Sequence, residues 1–424
     1  MKAKLKNIDQ KKKTLFTNTI MLYILTFSSY IFNLITVPYQ TRVLGPEVYG
    51  NLGFAMSFAI YFQLLFDFGF ILSATKVVAE NRDDKRELGR ILSAVNILKL
   101  IFIGISAILL LILCVTVERL KTDPLLFVLV FIYVAINSFL PDFLYRGIEN
   151  MKIITYRSVA IRFLFTILVF VFLKNKGQYY VVPILNIIGA IVAIVAVYTH
   201  IRFKLKIKMQ KVKKAFIFKT FKDSGLYFLS RIATTIYSST NTFILGFLYP
   251  SGATVGYYSA SNKLISTGQT AISPISDSIF PYMVKNKDFK LVKKMLLFVE
   301  PLIIITCIAV AVFAEPLCIA FFGDEYAESA TLLRLTLPII VVTLPNYLLG
   351  FPTMTALGIA KQANYSVIAA AVWHILSLLI LFLTNNLNVY GICICASITE
   401  IVLLVIRITF IIKAKQKNTI PHTL

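Results

Sequence analysis

Long apolar runs follow one another along almost the whole chain, and they constrain its fold more than any other feature. One of them contains the stretch GISAILLLILCVT, at positions 104–116. A run of about 20 apolar residues in a helix matches the hydrocarbon thickness of a bilayer. Backbone groups in lipid must be hydrogen-bonded internally, and the ten-residue alternation of a membrane β-barrel is absent, so the runs predict α-helices. We therefore expect an all-α integral membrane protein.

The runs predict about twelve membrane helices with short connections between them. The predicted ranges are 15–37, 49–72, 91–116, 124–145, 153–173, 180–201, 224–248, 254–284, 295–318, 330–350, 362–384 and 388–412. Pro274 and Pro281 fall in the eighth helix, and Pro338 and Pro345 fall in the tenth. Each proline removes a backbone hydrogen bond, so bends are expected there.

The basic residues are concentrated on one side of the predicted membrane. The chain has 43 Lys and Arg residues and a net charge of +23. Most of them lie in the two tails and in alternate loops, near 73–90, 146–157, 202–223, 285–294 and 351–361. The positive-inside rule then places both termini in the cytoplasm. Since no basic domain stands apart from the apolar runs, nucleic acid is not expected as a partner.

The order of the runs predicts two halves. We expect a cytoplasmic basic N-terminus (1–14), an N-terminal six-helix lobe (15–201), a basic cytoplasmic linker (202–223), a C-terminal six-helix lobe (224–412) and a cytoplasmic tail (413–424). An internal repeat supports this division, because VLGPEVYGNLGFAMSF follows the first helix and FLYPSGATVGYYSASN follows the seventh. Many transporters are built from such repeats. The linker alternates basic and apolar residues, which fits either an anionic lipid surface or a solvated loop.

Three of the predicted helices carry one polar face each. Positions three or four apart share a face of a helix, and three such faces predict a water-filled cavity. The polar residues proposed to line it are Thr26, Tyr30, Asn33, Thr235, Ser238, Asn241, Asn262, Ser266, Gln269 and Ser273.

Charged residues also fall inside the predicted spans. Lys99, Arg162, Arg231 and Lys263 are cations, and Asp67, Asp277 and Glu400 are anions. A charge at the centre of a bilayer costs about 2.5–3.5 kcal/mol on insertion scales, so such residues usually face a cavity or one another. The first three cations could instead reach the inner surface with their long side chains. Glu400 could be protonated, bind a coupling ion or pair with another helix.

The remaining motifs argue against other classes of protein. The sequence has no Walker A stretch, no G-x-S-x-G and no H-E-x-x-H. Its five Cys and three His residues do not have the spacing of a metal site. We therefore predict no catalytic residue, no metal and no cofactor, and expect a transporter rather than an enzyme. An excess of intramembrane cations favours an anionic cargo.

Five stretches carry a resemblance to a known family. They are VPYQTRVLGPEVYG (37–50), LLFDFGFILSATKVVAENRDD (64–84), FLSRIATTIYSSTNTFILGFLYPSGATVGYYSASNKL (228–264), IAFFGDEYAESATLLRLTLPII (319–340) and LGIAKQANY (357–365). In their order and spacing they resemble the polysaccharide transporter family, the Wzx-type flippases of the MOP exporter superfamily. The similarity extends over nearly the whole chain.

The resemblance implies two pseudo-symmetric six-helix lobes around a central cavity, as in the MATE proteins. It implies a cargo of undecaprenyl-pyrophosphate-linked oligosaccharide, passed to the outer leaflet of the bacterial plasma (inner) membrane for O-antigen, capsule or exopolysaccharide synthesis. Arg42, Asp67, Lys99, Arg231 and Lys263 correspond by position to motif and cavity residues of the family. A polysaccharide polymerase and a chain-length regulator are implied as partners.

Three points stay open at this level. Asp67, Asp277 or Glu400 could bind a coupling H⁺ or Na⁺. A MATE-like multidrug or cation antiporter is an alternative with the same fold, although it would use cavity carboxylates for cationic cargo. A membrane-embedded polysaccharide polymerase or glycosyltransferase is a second alternative, although such an enzyme normally has a long outer loop with catalytic side chains. Here the longest outer loop, near 315–329, is short and acidic.

Overall fold

A computed structural model describes residues 2–416, with side chains from Thr17 onward except at positions 226, 229, 230, 233, 234, 236–238, 281 and 415. Throughout this range the secondary structure is helical, with no strand. The helices are α1 (Lys2–Asp67), α2 (Phe70–Glu80), α3 (Lys85–Thr116), α4 (Glu118–Lys121), α5 (Pro124–Ser138), α6 (Asp142–Gly147), α7 (Met151–Phe172), α8 (Val181–Thr199), α9 (Lys214–Leu248), α10 (Ala253–Asn286), α11 (Phe289–Val312), α12 (Ala314–Phe322), α13 (Ser329–Leu349), α14 (Phe351–Ala356), α15 (Ala360–Leu383) and α16 (Val389–Gln416).

The helices have the length and composition of membrane spans. Within the described residues, 9 helical segments are long and apolar enough to cross a bilayer. The first of these segments covers both of the first two predicted spans. Helices α9 and α10 are also long enough, but their polar residues lower the hydropathy. The prediction of an all-α membrane protein is confirmed, and the chain crosses the membrane several times.

Several predicted boundaries were wrong. Residues 38–48, predicted as an outer loop, are helical in α1, and only Gly45 leaves the helical region, with φ 71° and ψ 171°. Pro46 follows at the start of the next helical segment, where its missing N–H is not needed. The predicted span 124–145 is broken between Ser138 and Asp142, and the predicted span 295–318 is broken at Phe313. Helix α9 begins at Lys214, inside the stretch predicted as a linker.

The chain forms two compact units. The first contains Met1–Leu44 and Ala55–Ile232, and the second contains Gly45–Phe54 and Ala233–Leu424. The second unit therefore includes a short stretch of α1 that is distant in sequence from the rest of it. The two functional lobes proposed from the sequence remain a prediction.

In the first unit, part of the basic segment before α9 runs along α3. A Cβ atom added at Gly89 would lie 2.1 Å from the carbonyl oxygen of Lys208, so the backbones touch. The backbone N–H of Gln210 donates to the hydroxyl of Ser93 at 3.0 Å, and Ile207 is buried. The segment is thus held on α3 by its backbone, whereas its lysines point outward and are exposed.

The two sequence repeats cross each other inside the second unit. A Cβ atom added at Gly50 would lie 1.9 Å from the carbonyl oxygen of Gly252. One added at Gly256 would lie 2.0 Å from the carbonyl oxygen of Pro46. Glycine is the residue that allows such close approach of two backbones. The two Gly- and Tyr-containing repeats therefore form the crossing of α1 with the start of α10.

We predict that Gly50→Ala destabilises the protein, because the added methyl group must displace the backbone of Gly252. Overpacking of this kind costs about 1–3 kcal/mol. The loss is measurable as a lower midpoint of thermal unfolding in detergent. Gly104→Ala in α3 is the matched control, since no heavy atom lies within 4 Å of a Cβ there. Equal midpoints for the two variants would contradict the packing argument.

A charge cluster as candidate functional site

The break between α1 and α2 carries the first residue of the candidate site. Asp67 ends α1, and Phe68 and Gly69 follow with φ angles of 33° and 75°. A Cβ atom at Gly69 would lie 2.8 Å from the backbone nitrogen of Phe228 in α9. Glycine is required here both for its positive φ and for this close approach. The sequence Asp-Phe-Gly thus places a carboxylate at a fixed break between two helices.

The aromatic residue inside that break attaches the neighbouring helices to it. The ring of Phe68 lies 4.8 Å from the ring of Phe221 and 4.5 Å from that of Phe228, both on α9. It also lies 4.9 Å from the ring of Phe102 on α3. Ring pairs at such distances add to the stability that burial provides. The break, α3 and α9 are therefore packed together around Phe68.

A cavity of about 150 Å³ lies beside this packing, within the first unit. Four charged residues line it: Asp67, Lys99, Asp142 and Arg231. Asp67 interacts electrostatically with the other three. Two cations and two anions therefore share one small polar cavity in a unit made of membrane helices. Three of them, Asp67, Lys99 and Arg231, were proposed from the sequence.

Lys99 occupies the buried end of the cluster. Its side chain is 3% exposed. The ammonium donates a hydrogen bond to the backbone carbonyl of Ser138. Ser138 ends α5, and the last carbonyls of a helix have no partner within the helix. Lys99 therefore satisfies a helix end that would otherwise be unpaired, and its charge faces Asp67 and Asp142.

Asp142 and its partner Arg157 were missed by the sequence analysis. Asp142 begins α6 directly after the break, and its two carboxylate oxygens accept from Arg157 at 2.8 and 3.4 Å. The predicted span 124–145 ran through this break, so Asp142 did not stand out as a site residue. Pro141, next to an acidic residue, is the signal that indicates a helix start there.

The other predicted cations of the first unit lie elsewhere. Arg162 on α7 donates to the carbonyl of Leu25 on α1 at 3.1 Å. It also interacts electrostatically with Tyr30. Thr26 and Asn33 are partly buried on the same helix α1, and Arg42 is exposed. None of these side chains lines the 150 Å³ cavity.

In the second unit, Lys263 is partly buried on α10, and no described side chain forms an ion pair or hydrogen bond with its ammonium group. Its backbone carbonyl accepts from Ser266 at 3.0 Å. The further predicted polar residues that are partly buried are Thr235, Asn262, Gln269 and Ser273. Asp277 is exposed. Ser238 lies outside the described side chains.

Two further predicted residues of this unit have partners on other helices. The side chain of Asn241 is 6% exposed and contacts the ring of His374 on α15. Glu400 accepts a hydrogen bond from the amide of Asn346 on α13 at 3.0 Å. Arg407, two turns further along the same face of α16, donates to the backbone carbonyl of the same Asn346. These contacts connect α9 with α15 and α13 with α16.

Two solved membrane proteins share this fold. The structure of a lipid II flippase, MurJ, in an inward closed conformation matches 94% of this chain and 90% of its own, with a TM-score of 0.71 at 16% identity. An inward-facing multidrug resistance MATE transporter of the MOP superfamily matches 91% of this chain and 94% of its own, with a TM-score of 0.67 at 13% identity.

The chain belongs to the polysaccharide biosynthesis protein family, whose model matches residues 15–287. A relative in Escherichia coli (strain K12), named "Putative O-antigen transporter", is 27% identical over 425 residues, which is 95% of this chain and 98% of the relative. A relative of the same name in Shigella dysenteriae is 26% identical over 331 residues, 75% of this chain and 80% of its own. The predicted family is confirmed.

We predict that Lys99→Ala strongly destabilises the first unit, because it leaves the Ser138 carbonyl without its donor and removes one of the cations that face Asp67 and Asp142. Removing one partner of a buried charge interaction costs about 3–5 kcal/mol. The loss is measured as the fraction of monodisperse protein after heating in detergent. Lys76→Ala on α2 is the control, because Lys76 is exposed. Equal losses for the two variants would show that Lys99 does not hold this helix end.

Proposed function

We propose that the protein is a flippase that moves an undecaprenyl-pyrophosphate-linked oligosaccharide from the inner to the outer leaflet of the bacterial plasma (inner) membrane. The product serves the synthesis of a surface polysaccharide, such as O-antigen, capsule or exopolysaccharide. Family membership, the names of the two relatives and the fold shared with a lipid II flippase support this proposal. Both termini lie in the cytoplasm, in agreement with the distribution of Lys and Arg.

The observation that carries the proposal is the environment of the Lys263 ammonium group. Its partly buried ammonium lies on a membrane helix with no anionic partner among the described side chains. A membrane cation of this kind costs about 2.5–3.5 kcal/mol unless an opposite charge or water offsets it. The pyrophosphate of a lipid-linked sugar supplies that opposite charge during transport. Lys99, by contrast, has its partners within the protein.

The remaining candidate residues then divide by role. Arg231 and Lys99 line the same small cavity of the first unit as Asp67 and add positive potential there. Arg162 and Arg42 add further cations on α7 and α1. The polar residues bond sugar hydroxyls during passage. They are Thr26, Tyr30, Asn33, Thr235, Ser238, Asn262, Ser266, Gln269 and Ser273. Asn241, also proposed from the sequence, is instead buried against His374.

Transport follows an alternating-access cycle, in which the polyprenyl tail stays in lipid while the pyrophosphate and sugars pass through the protein. Pro338 and Pro345 lie inside α13, and Pro274 lies inside α10. A proline within a helix removes one backbone hydrogen bond, which allows local bending. Asp67, Asp277 or Glu400 takes up the H⁺ or Na⁺ if the cycle is coupled to an ion gradient. A polymerase and a chain-length regulator act on the product.

A multidrug or cation antiporter is the alternative with the same fold. Its cargo would need an uncompensated carboxylate in the membrane. The two carboxylates of the charge cluster face Lys99, Arg157 and Arg231 instead. Lys263 adds a cation, which repels such cargo. Asp277 is an exposed carboxylate of α10, but Lys263 lies on the same helix, and on this balance we propose the anionic, lipid-linked cargo.

The test uses proteoliposomes that carry the undecaprenyl-pyrophosphate oligosaccharide in one leaflet. We expect Lys263→Ala to lower the rate of flipping about 10-fold or more, since a hydrogen bond to a charged group contributes about 1.5–3 kcal/mol. Lys263→Arg keeps the charge and is expected to keep most of the rate. Lys285→Ala, at an exposed position of the same helix, is the control.

Flipping at the wild-type rate by Lys263→Ala would overturn the role of this cation. If the wild-type protein flips no lipid-linked oligosaccharide but takes up a cationic dye against an ion gradient, the antiporter is correct. The two results are read from the same vesicles, so a failure of the cargo assignment is distinguishable from a failure of the residue assignment.

A further inference from the structure

A histidine that the proposed transport cycle does not use lies at the centre of the second unit. His374 on α15 is 0% exposed. Its Nε2 atom lies 2.9 Å from Oδ1 of Asn241 on α9, and its Nδ1 atom lies 2.9 Å from the hydroxyl oxygen of Thr399 on α16. Both ring nitrogens therefore have a partner on another helix.

The chemistry of these partners determines which protons the ring can carry. The amide oxygen of Asn241 can only accept a hydrogen bond, so Nε2 must carry a proton. The hydroxyl of Thr399 can either donate its single proton to Nδ1 or accept one from it. It also lies 2.7 Å from the backbone carbonyl of Cys395, which offers a second acceptor for the same hydroxyl proton.

The neutral and the charged ring of His374 can thus each form a hydrogen bond at both nitrogens, with all non-hydrogen atoms in the same positions. In the neutral ring, Nε2 donates to Asn241 and Thr399 donates to Nδ1. In the charged ring, both nitrogens donate, and the Thr399 hydroxyl rotates to donate to the Cys395 carbonyl. We propose that His374 is a proton-binding site, in which rotation of the Thr399 hydroxyl accommodates the bound proton.

The groups around the ring transmit the effect of protonation to the neighbouring helices. The side chain of Asn241 also interacts with Tyr258 on α10. Hydrogen bonds from a charged donor are about twice as strong as neutral ones. Protonation therefore tightens α15 against α9 and α16 and polarises the amide of Asn241. The hydrogen bonds of this one ring connect three helices of the second unit.

The other titratable groups nearby are thiols, a phenol and the charged side chains of α16 and α10. Cys395 on α16 has its sulfur 3.9 Å from Nδ1 and 2.6 Å from the hydroxyl of Ser377. Cys393, on the same helix, interacts electrostatically with Tyr258. Glu400 and Arg407 of α16 both contact Asn346 on α13. Lys263 and Asp277 follow Tyr258 further along α10.

The low number of histidines makes the proposal directly testable. The chain has 3 His residues. Replacing the other two, as His200→Asn and His422→Asn, leaves His374 as the single histidine. Solid-state NMR of this variant in liposomes, with ¹⁵N-labelled histidine, reports the protonation of each ring nitrogen between about pH 4 and pH 9.

We expect one protonated nitrogen at high pH and two at low pH. Asn241→Asp should raise the midpoint by about one pH unit or more, because a carboxylate stabilises the charged ring. Thr399→Val should lower it, because the charged ring loses an acceptor. If the single-histidine protein does not fold, the His374 signals are obtained by subtracting the spectrum of His374→Gln from that of the wild type.

A ring that keeps one protonation state over the whole range in which the protein remains folded would overturn the proposal. So would equal midpoints in the wild type, Asn241→Asp and Thr399→Val. The measurement involves no transport, so its outcome is independent of the cargo proposed above.

Discussion

Hydrocarbon offers no water to a charged or polar side chain, and this constraint determines where the polar groups of this protein lie. Lys99 donates a hydrogen bond to the last carbonyl of α5, and Arg407 donates one to a carbonyl of α13. Each such contact joins two helices that apolar packing alone would hold with less specificity, because hydrocarbon side chains make non-directional contacts. Among the described side chains, Lys263 and the buried Oε2 of Glu300 on α11 both depart from this pattern, and Lys263, as the cation, carries the functional proposal.

Much of the fold could be predicted from the sequence because the two strongest signals are one-dimensional. The length of an apolar run indicates a span, and a charge within such a run indicates a site. Asp67, Lys99 and Arg231 were identified in this way, and the structure brings all three to one cavity. The transporter class followed from the same signals, together with the resemblance of five stretches to a known family.

The partners of these charges could not be predicted, because they depend on tertiary packing. Helical periodicity shows that two residues share a face, but it does not show what that face contacts. Asn241 was placed in a polar stripe of this kind, and its partner His374 is 133 residues away in the sequence. Asp142 was not identified as a site residue, because the short break between α5 and α6 changes the hydropathy of the sequence very little. The glycine crossing was visible only as a weak repeat until the backbones were placed.

The position of residues 45–54 has a consequence for how this chain can be divided. They lie within the second unit although the first unit surrounds them in sequence. A single cut anywhere in the polypeptide therefore cannot release either unit whole. During synthesis, residues 45–54 leave the ribosome long before the last helices of the second unit. This unit can therefore form only after those helices have been made. The protein is thus one interleaved chain rather than two modules that could be exchanged or expressed separately.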